Sequence, residues 1–114
     1  MAYQDMREWI AKIEKEGQLK RIRAEVDWNE EIGGITRKAF DLKEKSPALL
    51  FENIKDYQSG RCRKLFTGSL TTYGRIAMML GLSKDVPVRE IIHTVHSRIK
   101  NPVKPLIVKN GPCK

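Results

Sequence analysis

Met6, Trp9, Ile10 and Ile13 recur at spacings of three and four residues, the period of a helix with one buried face, and predict a helix over residues 6–16. Asp5, with Glu8 three positions on, forms a capping box in which a carboxylate replaces the usual hydroxyl, and Gly17 offers the left-handed conformation that closes a helix without a Cβ clash. From Leu19 to Val26 the period drops to two. Ile22, Ala24 and Val26 alternate with Arg21, Arg23 and Glu25, which predicts a half-buried strand.

A second helix is expected from about Asn29, because Ile32, Ile35, Ala39 and Leu42 return to helical spacing with Phe40 alongside. Gly33 and Gly34 lie inside it, each costing up to about 1 kcal/mol against alanine, so either the helix packs closely on another backbone there or it begins later. Close packing is the favoured reading. Pro47 then introduces ALLFENI (48–54), an apolar run of strand length, and the polar KDYQSGR leads to a second run, KLFTGSL (64–70); the two read as neighbouring strands. Tyr73–Leu80 reads as a short helix closed by Gly81. Pro87 suits a first turn, and Val88, Ile91, Ile92, Val95 and Ile99 form an apolar stripe that Asn101-Pro102 ends.

The order helix, strand, helix, strand, strand, helix, helix, extended tail predicts an α/β (α+β) domain: a small mixed β-sheet packed with about four helices. Residues 1–108 are expected to form this single domain, with Val103–Val108 ordered against it and Leu106–Val108 apolar enough to pair as a strand. Residues 109–114 read as a linker in which Gly111 to Lys114 have few contacts.

Composition adds limits. The 114 residues are 40% hydrophobic and 32% charged, and no apolar stretch approaches the roughly 20 residues that span a bilayer. The N-terminus does not read as a secretory signal, so a cytoplasmic location is expected. The net charge of +8 is uneven: residues 1–60 carry 11 basic against 12 acidic side chains, and residues 61–114 carry 11 against 2. Such asymmetry fits nucleic acid, an anionic ligand or an acidic protein surface alike.

Local patterns yield no active site. Gly33-Gly34 matches neither the P-loop nor the dinucleotide fingerprint. Gly68-Ser69-Leu70-Thr71-Thr72-Tyr73-Gly74-Arg75 joins a strand to a helix start, where backbone N–H groups could hold an anion, but Thr71 or Thr72 acting as a helix cap accounts for it more simply. His93 and His96, three apart beside the apolar stripe, read as solvent-facing or boundary residues rather than metal ligands. Cys62 and Cys113 match no metal or CxxC spacing and are expected as free thiols; Arg61 and Arg63 beside Cys62 make it a candidate reactive thiol, although a basic surface cluster explains the same residues. Glu30-Glu31 falls at a helix start, where carboxylates suit the helix dipole. No serine lies in a GxSxG elbow. Arg61, Arg63, Lys64, Arg75, Arg89, Arg98, Lys100, Lys104 and Lys109 could track phosphates, yet they are scattered, and only Phe66 and Tyr73 are aromatics among them.

Longer stretches carry a resemblance. MREWIAKIEKEGQLKRIRAEVDWNEEIGGITRKAF (6–40) is similar to the opening of the UbiD-like decarboxylases. ALLFENIKDY (48–57) resembles their ALLFENVKGY stretch, LFTGSLTTYGRIAMMLGL (65–82) resembles the strand and helix that follow, and KNPVKPLIVKNGPCK (100–114) is similar to a proline-rich passage of the hydroxyarylic-acid decarboxylases. The likeness is collinear over essentially the whole chain.

This resemblance implies an N-terminal domain or small subunit of an enzyme that reversibly and non-oxidatively decarboxylates an aromatic or α,β-unsaturated acid. It implies prenylated FMN, Mn2+ and K+ for the complete enzyme, held with the catalytic residues in a central domain, and a homo-oligomer. No catalytic, cofactor-binding or metal residue transfers to this chain, which is expected to be inactive alone and to partner a UbiD-like catalytic domain or subunit. The alternative from another class is a basic nucleic-acid- or protein-binding module; a regulatory small subunit is a third.

Overall fold

The computed structural model describes residues 3–111 and contains four α-helices, one 3-10 turn and a three-stranded sheet. Helix α1 (Met6–Lys15) is capped by the Asp5 carboxylate, which accepts from the Arg7 and Glu8 backbone N–H groups at 2.9 Å, while Glu8 reaches back to the N–H of Gln4. Gly17, at φ +71°, ends the turn after it, and strand β1 (Leu19–Ile22) follows directly. The strand is shorter than its alternation predicts: the chain bends at Ala24, which is exposed, and Val26 makes only an isolated parallel bridge to Ile54.

Helix α2 (Glu31–Phe40) begins two residues later than expected, after a turn in which Glu31 accepts from the Asp27 N–H and Asp27 from the Asn29 N–H. It returns the chain to strand β2 (Ala48–Phe51), parallel to β1 with Leu19 opposite Ala48. Strand β3 (Leu65–Thr67) then pairs antiparallel with β2, Leu50 opposite Phe66. The order β1-β2-β3 makes the mixed sheet that the sequence predicts. Every residue of β2 is buried, because a central strand covered on both faces must be apolar throughout.

The period-two geometry of β2 divides the core. Leu49 and Phe51 join Val26, Ile32 and Ile54 beneath α2, whereas Ala48 joins Trp9, Ile13 and Met78 on the opposite side, between α1 and helix α3 (Tyr73–Met79). Tyr3 packs edge-on to Trp9 at 5.0 Å and donates to the Met78 carbonyl, tying the N-terminal segment to α3. Helix α4 (Val88–Lys100) starts just after Pro87 and lies against α3, its Arg98 donating to the Leu80 carbonyl at 2.6 Å.

Two expectations are corrected, at Gly33-Gly34 and in the tail. A Cβ at Gly33 or Gly34 would meet nothing within 4 Å, so the two glycines make no close backbone contact; the close approach occurs instead at Gly74, where a Cβ would sit 3.2 Å from the Lys84 carbonyl. Of the stripe on α4 only Ile91 is buried, because among the described elements α4 packs mainly by one edge on α3. Val103–Val108 form no strand and are exposed: the segment leaves α4 without running beside a sheet edge, so its backbone finds no ladder partner. Gly111 is half-buried, and residues 112–114, where the linker reading ends, lie outside the described residues.

Candidate functional surface

The segment Gly68–Arg75 is built around a buried cation. Thr72 caps α3 by accepting from the Arg75 N–H, Tyr73 N–H is taken by the Glu44 carboxylate at 3.0 Å, and Thr71 donates to the Gly68 carbonyl. Two of the helix-start donors are thus occupied by side chains, which agrees with the capping reading. Arg75 turns inward and is 1% exposed. Its Nε donates to Ser69 O at 3.2 Å, Nη1 to Ser46 O at 2.8 Å and to Gln18 Oε1 at 3.2 Å, and Nη2 to Thr71 Oγ1. Burial pulls the guanidinium below its ordinary value, offset in part by Glu44. Arg75 is therefore a fastener between α3, the turn after α1 and the entry to β2, and is withdrawn from the set of phosphate-tracking residues. No carboxylate forms an ion pair with it among the described residues.

A second cluster lies at the end of the central strand β2. The Glu52 carboxylate accepts from Arg21 at 2.7 Å and Lys64 at 3.0 Å, and Arg21 also grips Glu14 through two bonds of 2.6 and 2.8 Å. The Lys64 hydrogen bond, with Arg21 behind it, holds Glu52 below the usual carboxylate range. These cations are already neutralised locally, which takes Lys64 out of a continuous anion track. Arg61, Arg63, Arg89, Lys100, Lys104 and Lys109 are exposed on the β2–β3 connection, on α4 and on the tail, without a shared groove.

Cys62 is exposed with Arg61 and Arg63, as its surface reading requires, and borders an apolar hollow of about 310 Å³ floored by Ile32, Ile54 and Leu65. Trp28 and Tyr57 stand edge to face at its rim, 6.4 Å apart. Gly33 lines the same hollow, which is what its missing side chain leaves open. Cys113 lies outside the described residues. His93 and His96 both face solvent on α4, and no group of three or more His, Cys, Asp or Glu stands close enough to hold a metal among the described residues. Nor is any described helix long and apolar enough to cross a membrane.

One further exposed feature is apolar. Ile92 and Ile99 on α4, and Val103, Leu106 and Ile107 beyond it, project into solvent. Periodicity located the α4 stripe without indicating what would cover it.

Comparison with known proteins places these features in a family. The sequence profile of the 3-octaprenyl-4-hydroxybenzoate carboxy-lyase N-terminal domain matches residues 10–95. A phenolic acid decarboxylase of Bacillus subtilis (strain 168) is 48% identical over 90 residues, covering 79% of this chain and 18% of that protein. Another, of Sedimentibacter hydroxybenzoicus, is 35% identical over 115 residues, covering 98% and 23%. The vanillic acid decarboxylase of S. hydroxybenzoicus superposes with a TM-score of 0.83 in an open form, at 33% identity over 96% of this chain and 23% of that one, and of 0.82 in a closed form. The chain spans about a fifth of the length of these relatives. With three-quarters of its residues inside the family profile and its fold reproduced in a solved relative, the chain belongs to the UbiD-like carboxy-lyase family, as its N-terminal domain.

Proposed function

We propose that this chain is the non-catalytic N-terminal part of a carboxy-lyase that reversibly and non-oxidatively decarboxylates an aromatic or α,β-unsaturated acid, and that it works only when joined to a UbiD-like catalytic domain or subunit. The folded elements lie within residues 1–108, and 109–114 serve as the connection toward that partner. The observation that carries this reading is the collinear match over 96–98% of the chain to decarboxylases four to five times its length. The complete enzyme is a cytoplasmic homo-oligomer that uses prenylated FMN, Mn2+ and K+. The cofactor and ions are assigned to the partner, a reading supported by the lack, among the described residues, of any group of three or more His, Cys, Asp or Glu placed to hold a metal ion; no chemical step is assigned to side chains of this chain.

The test is a chimera in which this chain replaces the matching N-terminal segment of the B. subtilis phenolic acid decarboxylase. The chimera will release CO2 from a phenolic acid, whereas the isolated 114 residues will release none and bind flavin weakly. Tight flavin binding or CO2 release by the isolated chain would reassign the chemistry to it.

A further inference from the structure

Helix α4 raises a problem of stability that points outward. At 13 residues it is near the length below which a helix is marginal in water, and such helices persist by packing an apolar face. Within this chain α4 buries only Ile91, while Ile92 is 64% exposed and Ile99 72%. The apolar series continues past the helix at Leu106 and Ile107, 88% and 94% exposed. A run of this kind marks an interaction site.

Charge selects the occupant. From Val88 to Gly111 the chain carries Arg89, Arg98, Lys100, Lys104 and Lys109 against Glu90 alone. Two copies of such a face would set basic rim against basic rim, which disfavours a second copy of this chain. A partner with an apolar centre and an acidic rim satisfies both terms. The relatives carry roughly four-fifths of their length beyond the region matched by this N-terminal domain, which is ample polypeptide to supply that surface. We infer that the outer face of α4 and residues 103–108 form one docking surface for the catalytic part of the enzyme, seated on an acid-rimmed apolar patch. This rests on the carboxy-lyase reading above and adds which face is used.

Hydroxyl-radical footprinting of the isolated chain and of the chimera tests it. Labelling of Ile92, Ile99, Leu106 and Ile107 will fall about fivefold or more in the chimera, as burial in an interface core requires. The double variant Ile92→Gln/Ile99→Gln will leave the helix content of the isolated chain unchanged, because both side chains are in solvent and glutamine suits a helix, and will cut chimera activity tenfold or more. An active chimera with unchanged labelling overturns the docking face and leaves the carboxy-lyase reading standing. A chimera that folds, with its cofactor loaded, yet releases no CO2 removes that reading and this inference with it. If the isolated chain dimerises and protects the same residues, the occupant is a second copy and the inference is wrong.

Discussion

Arg75 places a guanidinium in the interior with four hydrogen-bond acceptors and no carboxylate ion-pair partner among the described residues. Its role is to satisfy carbonyls that would otherwise be stranded, at about 1–3 kcal/mol each. Arg75→Met, which keeps much of the volume, is therefore expected to destabilise the domain by about 3 kcal/mol or more in urea unfolding. Arg75→Lys will recover only part of this, because an ammonium cannot span acceptors set out for a planar fork. A Met variant of near-native stability would show that the acceptors find water instead. A signal for this residue was present in the sequence: Arg75 is the only charge between Lys64 and Lys84. Composition pooled it with the other basic residues because charge counting carries no direction, and only the packed turns show that it points inward.

At the scale of elements, helix periods and turn residues located α1, α2 and α3 to within a residue or two, with Gly17 and Thr72 doing what their chemistry predicts. The failures share one cause. Ala24 continues an alternation that the chain abandons, and Gly33-Gly34 implies a contact that occurs at Gly74. Periodicity reports which side chains agree with a repeat, but not where a neighbouring element arrives. Because nothing lies within 4 Å of a Cβ at Gly33 or Gly34, Gly34→Ala is expected to stabilise the isolated chain by about 0.5–1 kcal/mol in thermal or urea unfolding, the helix-propensity difference. Loss of stability would mean that the glycine serves a backbone geometry rather than an empty space.

For the whole molecule, acid response follows from ion pairs spread over its surface. Glu14 and Glu16 are held low by hydrogen bonds from Arg21 and Lys12, Asp27 by the Asn29 backbone N–H and then Lys55, and Glu52 by Lys64 and then Arg21. A depressed carboxylate contributes stability that is present above its unfolded value, about pH 4, and is lost as pH falls through the lower folded value. Lys12 and Lys55 are raised, so their share is lost only as pH rises through those raised values. The thermal midpoint should therefore hold between about pH 6 and 8 and drop below about pH 4. Glu52→Gln should flatten that acid slope; an unchanged slope would show that the exposed pairs contribute nothing measurable, as isolated surface pairs often do.

The candidate surface was half legible. The stripe Val88, Ile91, Ile92, Val95, Ile99 is written in the sequence, and so is the apolar run after Asn101-Pro102. Local chemistry was sufficient to determine the helices, the central apolar strand and the family, because caps, periods and long collinear stretches depend on neighbours along the chain. Tertiary structure alone decided that Arg75 is interior, that Glu52 gathers cations from two distant segments, and that the α4 stripe faces outward. Each of these depends on what another part of the chain places opposite a side chain, and a repeat of 3.6 residues is the same whether its apolar face meets its own core or a partner's.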